Sequence, residues 1–255
     1  MSNSDTVQSG GLSFAEGFEE LLPKIASGLG RLVGASVSDT SLACGRHGCV
    51  LFTDDGYHVV KITGDRSEAL GWLYVQEKQS RGEEEFLAGA VHVSGVWKVE
   101  VDFPGMFGTT DHRSFGVALL ERVVPGHRSH HRGGDRGALS RRVSSYIDRR
   151  TYEPTDRIDS TLTQVGLSLK DHRFRKLSGA CKASPVQLAG LCRMAREAAS
   201  DGVWFEDVEL HNVGWRFTPR PASLVLFDFG RVEVPPSLRR RLRRRWRGIP
   251  SVSLR

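Results

Sequence analysis

The sequence lacks the features that mark membrane, secreted and disordered proteins. No apolar run approaches the roughly 18 residues that a membrane-spanning helix needs, and the first eleven residues have neither the basic nor the apolar part of a signal peptide. Only four of the 255 residues are cysteine, too few for a fold built on disulfides, so reduced thiols are expected. With 39% hydrophobic and 26% charged residues, the composition predicts a globular cytoplasmic protein.

Lysine is scarce and positive charge is unevenly placed. The chain has 7 lysines against 29 arginines, so a lysine inside an apolar strand is more informative than any single arginine. The net charge is +6, but residues 231–255 alone carry +8, with nine arginines and one glutamate, which leaves −2 for residues 1–230. A nucleic-acid-binding surface spread over the whole body is therefore not indicated.

The basic tail has its own apolar pattern. Leu238, Leu242 and Trp246 recur at intervals of four between the arginines, which predicts a helix with an apolar stripe. We expect this stripe to dock on the C-terminal half of the fold. The alternative is that Arg239–Arg247 contacts a polyanion or an acidic partner.

Periodicity and turn signals predict a strand-rich first half and a second half with a partly helical basic insertion, one clear helix and short strands. Residues 14–33 have helical spacing that Pro23 and Gly28 should interrupt. Asp55-Gly56 between two β-prone runs predicts a hairpin, and a helix should follow from about residue 65 to 79. Further strands are expected at 90–103 and 115–124, then a basic insertion up to about 177, a helix beginning at Pro185, and short strands around 203–205, 213–217 and 223–230.

One charged residue lies inside an apolar strand. Lys61 is flanked by Val59, Val60 and Ile62, and a buried ammonium needs a partner. Glu68 on the following helix could provide it and leave the lysine able to hold nucleotide phosphates. The alternative is that Lys61 reaches solvent at a strand edge while Glu68 only caps its helix.

Two other motifs carry groups suited to phosphate and metal chemistry. Gly45 and Gly48 lie within a predicted hairpin, where glycines allow backbone N–H groups to approach a phosphate, although a simple turn would also need them. Asp207 and Asn212 precede Asp228, which opens an Asp-Phe-Gly triplet after an apolar strand. Their oxygen atoms are the type that Mg²⁺ prefers.

Taken in order, these motifs resemble the protein-kinase-like superfamily, which also contains aminoglycoside and choline phosphotransferases. Gly45, Gly48 and Val50 resemble the end of its glycine-rich loop, and Lys61 with Glu68 resembles its lysine–glutamate pair, with Glu77 in reserve. Leu119–Gly126 looks like the hinge, where backbone groups at Glu121 and Val123 would hold adenine. Asp207 and Asn212 match the catalytic loop, and Asp228 matches the metal-binding aspartate.

The resemblance implies an α+β, two-lobed fold with a small antiparallel β N-lobe and a reduced, mainly helical C-lobe. It implies an N-terminal extension with a helix over 1–40, the N-lobe and hinge over 41–124, the C-lobe with its basic insertion over 125–230, and the arginine-rich tail over 231–255. Three departures stand out: Ala43 replaces the first loop glycine, Phe205 replaces the catalytic-loop histidine, and only 25 residues follow Gly230.

The activity implied is phosphoryl transfer from ATP with Mg²⁺, with protein Ser or Thr hydroxyls as the expected acceptors. Lys61, with Val50 and Val59 beside it, would contact the nucleotide, Asn212 and Asp228 would hold Mg²⁺, and Asp207 would orient and deprotonate the acceptor. The alternatives are a small-molecule kinase of the aminoglycoside or choline type and an inactive pseudokinase scaffold.

Overall fold

The computed structural model describes residues 21–44, 48–104, 110–125, 185–205, 212–216, 223–230 and 232–254. These residues form an α+β fold with five helices and eleven strands, which confirms the expected class. The predicted basic insertion lies almost wholly outside the described residues. In chain order the elements are α1 (Leu22–Val33), β1 (Val37–Cys44), β2 (Gly48–Thr53), β3 (His58–Thr63), α2 (Arg66–Ser80), α3 (Glu84–Gly89), β4 (Val93–Pro104), β5 (Thr110–Glu121), β6 (Val123–Pro125), α4 (Pro185–Ser200), β7 (Trp204–Phe205), β8 (Val213–Arg216), β9 (Leu224–Leu226), β10 (Val232–Glu233), α5 (Pro236–Gly248) and β11 (Ser251–Leu254).

A six-stranded sheet forms the centre of the first half. Its strand order is β1-β2-β3-β5-β4-β11, and every neighbouring pair is antiparallel except β11 with β4. The predicted hairpin is β2–β3, and its turn has Gly56 at a φ of +71°. The Asp55 carboxylate accepts hydrogen bonds from the Tyr57 and His58 backbone N–H groups, which fixes the turn locally.

Two hydrophobic cores lie on opposite faces of this sheet. Along β3, Val60 and Ile62 enter the core that α1 covers, whereas Val59 packs against the core that α2 covers. Side chains alternate between the two faces of a strand, so Lys61 lies on the α2 face. The Lys61 side chain is thus directed toward α2, a helix that can supply a carboxylate partner.

The first helix differs from its prediction. It runs from Leu22 to Val33 without a break at Gly28, and Pro23 occupies its first turn, where the missing N–H group costs no hydrogen bond. A Cβ on Gly28 would lie 2.9 Å from Leu254 Cδ2, so this glycine permits β11 to approach the helix. Packing between distant segments, which local spacing does not reveal, explains the glycine.

The second half is built on α4 and the sheet β6-β8-β9. The predicted apolar stripe of α4 is confirmed, because it lies entirely within the core. Helices α3 and α4 approach closely at two glycines: a Cβ on Gly190 would lie 2.6 Å from the Ala88 carbonyl oxygen, and one on Gly89 would lie 2.5 Å from the Gly190 carbonyl oxygen. The buried residues of the stripe are Leu188, Leu191, Met194, Ala195 and Ala198.

The arginine-rich tail does not dock where the sequence predicted. Leu242 is fully buried, with Leu238 and Trp246 packed beside it, but α5 lies against α2 rather than on the C-terminal half. Arg245 donates hydrogen bonds to the Leu73 carbonyl and the Gln76 side chain. Strand β11 then joins the six-stranded sheet, so the chain returns to its first half. The return requires a parallel pairing between distant segments, which no local pattern predicts.

Two further findings concern cysteine and the membrane. Cys49, buried in β2, is disulfide-bonded, so the expectation of reduced thiols is wrong for this residue. Its Cα partner across the β1–β2 pair is Cys44, and Cys192 of α4 is a buried, reduced thiol. None of the helices in the described ranges is long and apolar enough to cross a membrane.

Candidate active site

The buried ammonium of Lys61 lies between two carboxylates. Its Nζ contacts Glu68 Oε1 on α2 and lies 2.9 Å from Asp228 Oδ2, just after β9. The side chains of Lys61 and Glu68 are 10% and 5% exposed, whereas that of Asp228 is 30% exposed. One strand, one helix and one loop therefore bring together three residues that the sequence singled out from separate motifs.

The contacts of Asp65 decide between the two possible roles of Glu68. Asp65 caps α2 by accepting a hydrogen bond from Ser67 N at 2.8 Å, and the Asp65 N–H donates to Thr63 Oγ1 at 3.0 Å. The Glu68 carboxylate is thus not the acceptor for the Asp65 N–H group, as a reciprocal capping box would require. Glu77, the reserve partner for Lys61, instead contacts Arg81 and Arg241. Glu68 is the helix partner of the buried lysine.

The three charges influence one another strongly. Burial alone would disfavour the ammonium, but Asp228 and Glu68 raise the pKa of Lys61 above its usual value, so the side chain stays protonated. Burial likewise opposes ionisation of Asp228, yet the Lys61 charge lowers the pKa of this carboxyl. Burial raises the pKa of Glu68 to about 7, with a further rise from Asp228 and an opposing effect from Lys61. Asp228 is therefore the carboxylate that most firmly holds its negative charge.

Backbone contacts fix Asp228 beside Asn212. The Asn212 carbonyl accepts hydrogen bonds from Phe227 N at 3.0 Å and Asp228 N at 3.4 Å, which closes the open end of the β8–β9 hairpin. The Gly230 N–H group donates to Asp228 Oδ1 at 3.0 Å and holds the carboxylate orientation. The two residues predicted to hold a metal are thus adjacent in space.

The oxygen atoms present suit a hard cation such as Mg²⁺. A carboxylate and a side-chain amide can each supply one ligand, and nucleotide phosphates commonly supply others. Lys61 and Gly230 each engage one Asp228 oxygen, but every carboxylate oxygen retains a second lone pair. Within the described ranges, no group of three or more His, Cys, Asp or Glu residues could hold a metal by itself. A Mg²⁺ ion held by Asp228 and Asn212 would complete its coordination with water molecules or phosphate oxygens.

Phe229 connects this loop to α2 through a chain of aromatic rings. Its side chain is fully buried and its ring centroid lies 5.9 Å from that of Phe205, which in turn lies 6.4 Å from that of Tyr74 on α2. A Cβ on Gly71 would lie 2.8 Å from Phe229 Cβ, so the helix needs a glycine there. Sequence reasoning missed Gly71 and treated Phe205 only as a departure, but its ring packs against the residue after Asp228.

The predicted hinge contains a partly buried ion pair that the sequence did not reveal. Both Glu121 carboxylate oxygens accept from Arg216 Nε, at 2.8 and 3.0 Å, and one also accepts from His92 N at 3.1 Å. Arg216 also donates to the Leu87 and Ala90 carbonyls at 2.7 Å each. Because arginine is common throughout the chain, nothing in the sequence distinguished this one. The pair joins the end of β5 to β8 and α3.

We expect Arg216→Leu to lower the free energy of unfolding by about 3 to 5 kcal/mol, because the change leaves the partly buried Glu121 carboxylate without its arginine and the Leu87 and Ala90 carbonyls without their donor. The matched control is Arg81→Leu, which removes an ion pair whose arginine side chain is 53% exposed and should cost no more than about 1 kcal/mol. Urea unfolding followed by circular dichroism measures both. Equal losses of unfolding free energy in the two variants would show that the Arg216 contacts stabilise the fold no more than a surface ion pair does.

The alternation of hydrogen bonds along β8 shows where Val123 directs its backbone groups. Arg216 N donates to the Ser223 carbonyl at 2.9 Å, so its backbone groups face β9. Neighbouring residues of a strand face opposite sides, so Trp215 faces β6, where it pairs with Val124. By the same alternation, Val123 directs its N–H and C=O away from β8. The Glu121 N–H, in contrast, donates to His92 O at 2.9 Å.

The residues predicted to surround the nucleotide have mixed outcomes. Val50 is the Cα partner of Lys61 across β2–β3, so Val50, Val59 and Lys61 share one face of the sheet. Gly48 has a packing reason to be glycine, because a Cβ there would lie 2.1 Å from the Ile62 carbonyl oxygen. Its predicted phosphate contact stays a prediction. Gly45 and Asp207 lie outside the described residues.

No protein-family model matches the chain, and no curated protein matches it. The assignment of a function therefore depends on the geometry around Lys61, Glu68 and Asp228.

Proposed function

We propose that the chain is an ATP- and Mg²⁺-dependent phosphotransferase with the two-lobed arrangement of the protein-kinase-like superfamily. The observation that carries this proposal is the position of Lys61 between Glu68 and Asp228. Structural ion pairs are common, but this one joins a central strand, the adjoining helix and the residue beside Asn212. The three residues also match the order of the superfamily's motifs in the sequence.

Each residue has a role that follows from its contacts. Lys61, oriented by Glu68, would hold the α- and β-phosphates as a fixed positive charge. Val123 would hold adenine through its N–H and C=O groups, which face away from β8. Asn212 and Asp228 would hold Mg²⁺, which when bound neutralises charge on the phosphate oxygens.

The acceptor is expected to be a hydroxyl, with Asp207 as the residue that orients and deprotonates it. Protein Ser and Thr remain the acceptors predicted from the sequence. One observation favours a small-molecule hydroxyl instead: after Gly230 the chain enters β10, which pairs with β7, and then α5, which packs on α2. Residues 232–254 are thereby committed to these contacts and offer no separate platform for a peptide.

We expect Asp207→Asn to abolish ATP turnover while nucleotide binding stays nearly unchanged, because an amide cannot take a proton from the acceptor. Purified protein incubated with labelled ATP and Mg²⁺, alone and with candidate acceptors, measures the turnover. Label found on Ser or Thr supports a protein kinase, and label found on a small hydroxyl compound supports the alternative. Unchanged turnover in the variant would remove Asp207 from the mechanism.

A further inference from the structure

A cavity that does not include Lys61, Glu68 or Asp228 lies at the N-terminal end of α2. Its volume is about 620 Å³, and its walls come from the start of α2, from β4 and β5, and from α5. Its size falls within the range of about 300 to 1,000 Å³ that small-molecule sites occupy. We call it the basic cavity.

The lining of the basic cavity is rich in positive charge. Five basic residues from three elements meet there, with Asp65 as the single lining carboxylate. That carboxylate is already used, because its two oxygens accept hydrogen bonds from Ser67 N and Ser67 Oγ at 2.8 and 2.9 Å. The basic residues are Arg66 of α2, Lys98 of β4, and Arg239, Arg243 and Arg247 of α5.

Helix α5 separates its arginines into two groups. Arg241 and Arg245 face α2 and lie 2.9 and 3.9 Å from the Glu77 carboxylate. Arg239, Arg243 and Arg247 recur at intervals of four and line the basic cavity instead. Within the described part of the chain, none of these three, nor Arg66 or Lys98, forms an ion pair. Like charges gathered without partners repel one another, so an anion would relieve the repulsion.

The rest of the lining indicates what kind of anion fits. Ser67 and Ser114 place hydroxyl groups among the basic residues, and α2 presents the positive end of its dipole. Leu70, Val234 and Trp246 add apolar surface. Arginine and lysine groups on three walls can engage separate phosphates at once, which a single monoanion could not exploit.

We propose that the basic cavity binds a small molecule that carries two or more phosphate groups, with Arg66, Lys98 and the row Arg239, Arg243 and Arg247 as its ligands. The basic residues converge on the cavity from α2, β4 and α5 and do not lie along α5 alone, which favours a small molecule over a nucleic acid lying along this helix. A bound polyphosphate would also account for the arginines on the face of α5 that does not pack on α2. This proposal does not depend on the phosphotransferase activity.

Calorimetric titration of the full chain with inorganic tripolyphosphate tests this proposal. We expect one site per chain, and we expect the double variant Arg239→Gln/Arg243→Gln to weaken binding by about tenfold or more, because each change removes a charged donor. The matched control, Arg240→Gln/Arg244→Gln, removes the same charge from the same helix at exposed positions that do not line the basic cavity. It should bind nearly as tightly as the unmodified chain.

Further variants and ligands distinguish binding in the basic cavity from binding elsewhere on the chain. Lys98→Gln on β4 should also weaken binding, because the proposed site includes the sheet as well as α5. If tripolyphosphate bound only at the Lys61 site, both double variants would bind it with the same affinity. That result would overturn the proposal. So would no binding by the unmodified chain, or preferred binding of single-stranded RNA with an affinity that rises with its length. Thermal unfolding without ligand serves as the folding control for every variant.

Discussion

Replacing Asp228 with asparagine is expected to lower ATP turnover at least about a hundredfold, because the amide removes the negative charge that would hold Mg²⁺ against the phosphates. The Lys61 contact at 2.9 Å also loses its ionic character. Turnover of labelled ATP at saturating Mg²⁺ measures the effect. An unchanged rate would exclude Asp228 from the reacting site.

The chain contains a closely matched control for this variant. Asp201 also accepts from a lysine, Lys78, at 2.8 Å, and its side chain is 34% exposed against 30% for Asp228. Lys78 also contacts Glu83, so both lysines lie between two carboxylates. Asp201→Asn should therefore cost similar stability but leave turnover intact. A comparable loss of turnover in both variants would mean that the effect arises from stability alone.

Removal of the C-terminal segment is expected to have the largest effect on stability. Deletion of residues 238–255 takes away the buried side chains Leu242 and Leu254 and exposes the edge of β4. At roughly 1.5 to 3 kcal/mol for each fully buried leucine, the loss is a large part of the 5 to 15 kcal/mol that stabilises a typical domain. Thermal unfolding followed by circular dichroism should show a markedly lower midpoint or no cooperative transition.

A point variant tests the same contact in a chain of full length. Leu242→Ala should lower the free energy of unfolding by about 2 to 5 kcal/mol, because this side chain of α5 is fully buried where the helix packs on α2. Leu87→Ala is the control, since Leu87 is 40% exposed and its truncation should cost much less. A stable truncated chain with a normal unfolding midpoint would contradict the structural role of α5 and β11.

Local signals in the sequence predicted the elements that carry the candidate site. The Asp55-Gly56 turn sets the β2–β3 hairpin, and the hairpin places Lys61 on a central strand facing α2. The spacing from Lys61 to Glu68 is short enough that their contact depends mainly on one turn and the start of one helix. Such features follow from neighbouring residues, and for that reason sequence patterns reveal them.

Contacts between distant segments were not predictable in the same way. The ion pair of Glu121 and Arg216 joins residues 95 positions apart, and each is ordinary in its own local context. Gly28 was expected to break its helix. The reason for a glycine there, its contact with Leu254, comes from the other end of the chain and is not visible in the local sequence. The docking of α5 was predicted from its stripe, but not the surface that receives it, since a stripe specifies an apolar partner and not its identity.

The measurement that tests the central claim most directly is calorimetric binding of ATP to the unmodified chain, with and without Mg²⁺, and to Lys61→Met. The account predicts one site per chain, tighter with Mg²⁺, and at least about tenfold weaker in the variant, because Lys61 would contact the phosphates as a charged donor. Lys24→Met, at an exposed position of α1, is the control and should bind normally. No ATP binding by the unmodified chain, or equal binding in Lys61→Met, would contradict the account.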